Sequence, residues 1–238
     1  MKNNLNQTGL PMKLLAVDTA TEACSAALLV DGEITQRHEM APQMHSHLIL
    51  DMVDGLMASA FVKPAQLDCL AFGRGPGSFM GIRLAAGVVQ GIGFAHDLPV
   101  VPVSVLQALA LNAHRETGAS HILAGIDARM KEVYWAGFEM RNGSPVMVLE
   151  ESVCKPEEVA VPEKGEWVGA GTGWDSYADV LRAKCEGLVS QVLPQCFPSA
   201  QAIAELAAPE FEAGNTVDAA AAVPVYIRDN VAAKPKAE

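Results

Sequence analysis

Residues 70–87 read L-A-F-G-R-G-P-G-S-F-M-G-I-R-L-A-A-G, a composition and spacing that could hold an anion. An apolar run, 67–72, breaks into a loop carrying Gly73, Gly75, Pro76, Gly77 and Ser78, and Gly81 then opens a nearly uncharged segment. Strand, glycine loop and helix in that order present backbone N–H groups at a helix N-terminus, where amides and the helix dipole hold a phosphate or carboxylate. The stretch is neither G-x-x-x-x-G-K-[ST] nor G-x-G-x-x-G, so the two common nucleotide fingerprints do not describe it. A tight turn that brings a helix close onto a sheet needs the same glycines, and spacing alone leaves both readings open.

Other groups invite chemistry less strongly. Asp18-Thr19-Ala20-Thr21 places an acid and two hydroxyls between the strands of a hairpin. In two-lobed ATPases that first turn faces phosphate and its magnesium, but a hydrogen-bonded turn uses the same residue types. Asp127 and Arg129 stand at a strand end, as an acid and base or as an ion pair closing a turn. His45 and His47 are two apart, so on a helix they point about 200° away from each other and cannot share a metal. No H-x-x-x-H or H-E-x-x-H occurs, and Ser78 lies in G-P-G-S-F, not in the G-x-S-x-G of serine hydrolases.

The elements that would position these groups follow from periodicity. Residues 14–19, 24–30 and 33–39 read as three strands, the last two joined by Asp31-Gly32. A helix over 44–60, a buried strand over 67–72, a helix over 81–96 and a short strand over 99–103 follow. Ser104 caps a helix to about residue 114. Strands over 122–127, 133–139 and 146–151 come next, with Asn142-Gly143 as a turn. A helix start at 156–158, a strand over 167–169 and a helix over 199–211 complete the pattern. A strand trio followed by helix and strand thus occurs twice, which predicts a duplicated α/β fold with a cleft between its lobes.

Two helices carry more apolar surface than one sheet face needs. On a wheel at ~100° per residue, Met44, Leu48, Met52 and Leu56 fall on one side, and Ile49, Val53, Met57, Ala60 and Leu50 widen it. His47, Asp51, Asp54 and Ala58 occupy the remaining arc. The stripe spans about twice the ~100° a helix on a sheet requires. In 81–96 Arg83 is the only formal charge, and Gly87 and Gly91 are four apart, a spacing that lets helices approach closely. Burial between the lobes would account for this; so would a patch that meets a partner.

The chain has 238 residues, 50% of them hydrophobic and 5% aromatic, with a formal charge of −11. That charge argues against a chain that grips nucleic acid by itself. Five cysteines, with no C-x-x-C pair, predict buried free thiols in a reducing compartment. No run reaches the ~18 apolar residues of a membrane span. Asp18 and Glu22 interrupt the first apolar run too early for a signal peptide, so a cytoplasmic protein without membrane contact is expected.

Four segments together resemble the TsaB (YeaZ) family of bacterial tRNA threonylcarbamoyladenosine biosynthesis proteins. They are L-A-V-D-T-A-T-E-A-C-S-A-A-L (15–28), G-R-G-P-G-S-F-M-G-I-R (73–83), I-D-A-R-M-K-E-V-Y (126–134) and P-V-Y-I-R (224–228). The resemblance covers 12 to about 232. It implies a two-lobed actin-like, sugar-kinase-like ATPase fold built from two ribonuclease-H-like domains. The expected division is a disordered extension over 1–11, an N-terminal lobe over 12–103, a C-terminal lobe over 104–232 whose last segment can pack back on the first, and a tail over 233–238. The family usually carries Thr where Met80 stands, which removes a hydroxyl from the loop.

The resemblance further implies a non-catalytic partner of TsaD, the enzyme that transfers a threonylcarbamoyl group to the adenosine beside the tRNA anticodon. TsaE, an ATPase, joins the pair. No cofactor is intrinsic to the chain, ATP or ADP enters through TsaE, and tRNA is met only through the complex. The interface would use Leu48, Met52, Val53, Leu56, Met57, Ala85, Val88, Val89 and Ile92, and in TsaD's absence would pair two copies. Met52→Glu or Val88→Arg is then expected to abolish binding without unfolding. Asp18, Thr21, Gly75, Gly77 and Ser78 would be vestigial phosphate-facing residues. The alternative function is an ATPase or acyl- or phosphoryl-transfer enzyme working from the inter-lobe cleft. Family members have also been labelled glycoproteases, but no metal or nucleophile motif here supports that activity.

Overall fold

The computed structural model describes residues 12–228. The expected extension over 1–11 and tail over 233–238 lie outside the described residues. The first sheet is built from β1 (Lys13–Asp18), β2 (Ala23–Val30), β3 (Glu33–Met40), β4 (Cys69–Gly75) and β5 (Val100–Ser104), with α1 (His45–Ser59) and α2 (Phe79–His96) between its strands. After α3 (Val105–Thr117) comes a second sheet of β6 (His121–Asp127), β7 (Val133–Arg141), β8 (Ser144–Cys154), β9 (Trp167–Ala170) and β10 (Val189–Leu193). Two short helices, α4 (Thr172–Ser176) and α5 (Ala178–Lys184), precede β10, and α6 (Ala200–Glu212) follows it. The strand orders are β3-β2-β1-β4-β5 and β10-β9-β6-β7-β8. Each sheet thus has an antiparallel trio joined to a parallel pair. This is the duplicated, two-lobed α/β architecture of the actin-like, sugar-kinase-like fold.

Strand alternation decides which layer each side chain enters. Leu15, Val17, Ala26, Leu28, Leu70 and Phe72 face α1 and α2. Leu14, Ala16, Ala27, Cys69, Ala71 and Val101 face the opposite way, onto Ile203 and Leu206 of α6. So α6, the last α-helix among the described residues, packs on the first sheet. In the second sheet Ile122, Ala124, Ile126, Ala136 and Phe138 meet α3, while Leu123, Trp135 and Trp174 fill the other side. Ser78, Ser104 and Ser199 cap α2, α3 and α6 through their hydroxyls.

One expectation changes and three elements go unread in the sequence. The helix expected from 156 is only the short 3-10 turn Pro156–Glu158. Sequence reading finds neither α4 nor α5, because each is under ten residues and too short to show a helical period. β10 also escapes it, since a register shift between Val189 and Gln191 breaks the alternation.

Candidate functional site

The β1–β2 turn and the loop after β4 are packed into each other. Thr19 donates its hydroxyl to the Gly81 carbonyl at 2.7 Å, and the Ser78 amide donates to the Ala20 carbonyl at 2.7 Å. A Cβ on Gly77 or Gly81 would collide with the carbonyls of Ala20 and Thr19, so both glycines are required by close backbone approach. The tight-turn reading of the glycine loop therefore holds.

Beside this junction lies a cleft of about 790 Å³ between the lobes. Thr21, Gly77 and Ser78 line it, together with His45, Met80, Asp127, Arg129, Tyr134, Tyr226 and Arg228. Asp18 and Gly75 do not. Gly75 is covered by the Val225 carbonyl, 3.0 Å from where its Cβ would stand. The Asp18 carboxyl is 0% exposed and lies close against Gly73, where an added Cβ would collide with it. Its Oδ1 accepts a long bond from the Ala20 amide at 3.4 Å, and its Oδ2 has no partner. Burial pushes this carboxyl up to about 7, against the opposing pull of the Ala20 amide. A carboxyl sealed in this way does not face the cleft, so the phosphate-facing expectation fails for Asp18 and Gly75.

Asp127 and Arg129 form the turn-closing ion pair. Asp127 accepts from the Arg129 amide at 2.9 Å and from its guanidinium at 3.1 Å, and Tyr177 donates to the same carboxylate. Arg129 also reaches Glu22 of the other lobe at 3.2 Å. A second link between lobes joins Glu151 to Arg74, at 3.1 Å, and to the Ser104 hydroxyl. Sequence reading misses Glu151, since nothing local marks it. The five cysteines are free, and burial pushes Cys24 up to about 11 and Cys69 up to about 12, away from reactive thiolate.

The interface expectation needs the largest correction. Met52, Val53, Leu56, Met57, Ala85, Val88 and Val89 are all buried in the chain's own core, against the sheet and between α1 and α2. Only Leu48 and Ile92 are half-exposed. The wide arc of α1 is consumed by two neighbours, the sheet and α2, leaving Met44 and Leu50 outside, Leu50 at 55%. Met52→Glu or Val88→Arg would therefore put a charge in the core and unfold the chain. The free apolar surface is a different stripe. Met80 (71% exposed), Leu84, Gly87, Gly91 and Phe94 (63%) recur at four- and three-residue steps along α2. A Cβ at Gly87 or Gly91 would meet nothing within 4 Å, so a shallow groove runs along the helix.

The geometry defines a two-lobed α/β protein whose cleft is bridged by ion pairs and whose α2 offers an outer face that is uncharged apart from Arg83. The family model described as "TsaD: tRNA N6-adenosine threonylcarbamoyltransferase" matches residues 33–236. The chain is 42% identical over 227 residues to the tRNA threonylcarbamoyladenosine biosynthesis protein TsaB of Escherichia coli (strain K12), covering 94% of this chain and 97% of that one. It is 38% identical to the TsaB of Haemophilus influenzae, covering 92% and 95%. A solved structure of YeaZ from Pseudomonas aeruginosa, 42% identical, superposes with a TM-score of 0.85 over 90% of this chain and 99% of that chain. The chain belongs to the TsaB (YeaZ) family.

Among the described residues no helix is long and apolar enough to cross a membrane, and no group of three or more His, Cys, Asp or Glu could hold a metal ion.

Proposed function

We propose that this chain is the non-catalytic partner of a TsaD-type transferase, required for threonylcarbamoyl transfer to the adenosine beside the anticodon of tRNA. The observation that carries this is the outer face of α2. Exposed apolar residues at helical spacing, with two glycines and open space over both, suit the close approach of another helix. Family membership supports the reaction in which such a partner would act: the relatives are named for threonylcarbamoyladenosine biosynthesis. TsaE completes the complex and brings ATP or ADP to it. Without TsaD the same stripe pairs two copies of this chain.

Two features favour a scaffold over a cleft ATPase. Asp18, the acid such an enzyme would turn toward magnesium, is sealed beneath the cleft wall. The formal charge of −11 favours a partner as the holder of tRNA.

The test is threonine incorporation into tRNA by purified TsaD, TsaE and an enzyme that makes threonylcarbamoyl-adenylate. Incorporation is expected only when this chain is added, with none from the chain alone. Equal incorporation in its absence would overturn the proposal and favour nucleotide turnover in the cleft.

A further inference from the structure

The segment after α6 takes an unusual route. Val217 pairs with Val100 through two backbone bonds of 2.9 Å, and Gln90 donates to the Ala222 carbonyl. The Val225 amide then donates to the Arg74 carbonyl at 2.8 Å. Tyr226 accepts from Arg83 Nε at 2.7 Å, and the Arg83 guanidinium stacks on Phe79 with its carbon 3.6 Å from the ring centroid. Two residues on, Arg228 crosses to the other lobe. It donates to the Ala128 carbonyl at 3.0 Å and to Glu132 at 2.5 Å.

Between those two acceptors stand Arg129, Met130 and Lys131, with φ of 59°, 55° and 63°. Three consecutive non-glycine residues in the left-handed region are strained, and such a segment persists only when its surroundings over-determine it. The surroundings here are Arg228 on both flanks, Asp127 on the Arg129 amide, and Glu22 across the cleft.

We propose that residues 223–228 form a clasp. Tyr226 anchors it on the first turn of α2, Arg228 holds the 129–131 loop left-handed, and release of the clasp lets the loop relax and the cleft open. The clasp operates in the isolated chain, with or without a partner.

Amide hydrogen exchange on the full chain tests this. Arg228→Ala should raise exchange of amides 128–133 at least tenfold, with far-UV circular dichroism unchanged. Tyr226→Ala, which removes a side chain whose hydrogen bond and ring contacts are to Arg83 and Phe79 of α2, should raise it several-fold through the loosened anchor. Adding Lys131→Asn to Arg228→Ala should return exchange toward the parental rate, because Asn adopts the left-handed region readily. Unchanged loop exchange in Arg228→Ala would overturn the clasp. A response to Arg228→Ala but none to Tyr226→Ala would also overturn it, by making Arg228 a purely local contact. Should Arg228→Ala fail to fold, Arg228→Gln carries the same test.

Discussion

Asp18 is a carboxyl whose environment reverses the usual link between acid and stability. Its native value, about 7, lies above the 3.8 of a free side chain. Between those values the native state binds more protons than the unfolded chain, so stability falls as pH rises from about 4 to about 7 and is level above. Asp18→Asn removes that slope. Urea titrations should find the variant equal to the parent near pH 4 and more stable by roughly 1–4 kcal/mol at pH 8. A difference that does not vary with pH would show that Asp18 is not titrating in this range. The acid itself was visible in D-T-A-T, but its burial was not. Burial comes in part from Gly73, 55 positions away, whose missing side chain leaves the carboxyl room to sit against its backbone. Arg228 was visible only within the P-V-Y-I-R resemblance, since a strap without periodicity leaves no pattern to read.

At the scale of elements, α1 and α2 were legible as helices, whereas their outer faces were not. Helical periodicity reports how wide an apolar arc is, not which neighbours cover it. Here the sheet and the helix alongside divide the arc of α1, so the residues most apolar on the wheel became core. What remained visible in hindsight was G-x-x-x-G: glycines without a packing neighbour inside the chain ask for one outside. Gly91→Arg tests this on two axes. A helix interior gains up to ~1 kcal/mol when an exposed glycine is replaced, so the variant should unfold at slightly higher temperature. It should also lose at least tenfold in affinity for TsaD, because the new side chain fills the groove. Retained affinity would move the partner surface off α2. The 156–158 turn, α4, α5 and β10 around the second sheet were read less well than the first sheet's elements, for want of length and because of a register shift.

Taken as a whole, the molecule is held together by two helices that each serve more than their own neighbourhood. α3 packs on the second sheet and against α6, while α6 packs on the first. Unfolding of the lobes should therefore be one cooperative event. The three tryptophans, Trp135, Trp167 and Trp174, all sit in the second sheet's core, so their fluorescence reports that lobe alone. Ile203→Ala, made against the first sheet, should cost about 2–5 kcal/mol and shift the fluorescence and far-UV transitions together. Separated transitions would mean independent lobes. The duplication behind this arrangement is legible from the repeated strand trio, whereas the return of the last segment to the first lobe is implied only by the family resemblance, since no local pattern records a long-range contact. The outer strands carry a last consequence. β3 presents Glu33, Arg37, His38 and Glu39 along the free edge of its sheet, and β8 is broken by two register shifts. Charged or kinked borders discourage main-chain pairing with a second molecule. With its sheet borders blunted in this way, a chain that leaves an apolar helix face in the open has closed one route by which crowded subunits turn into fibrils.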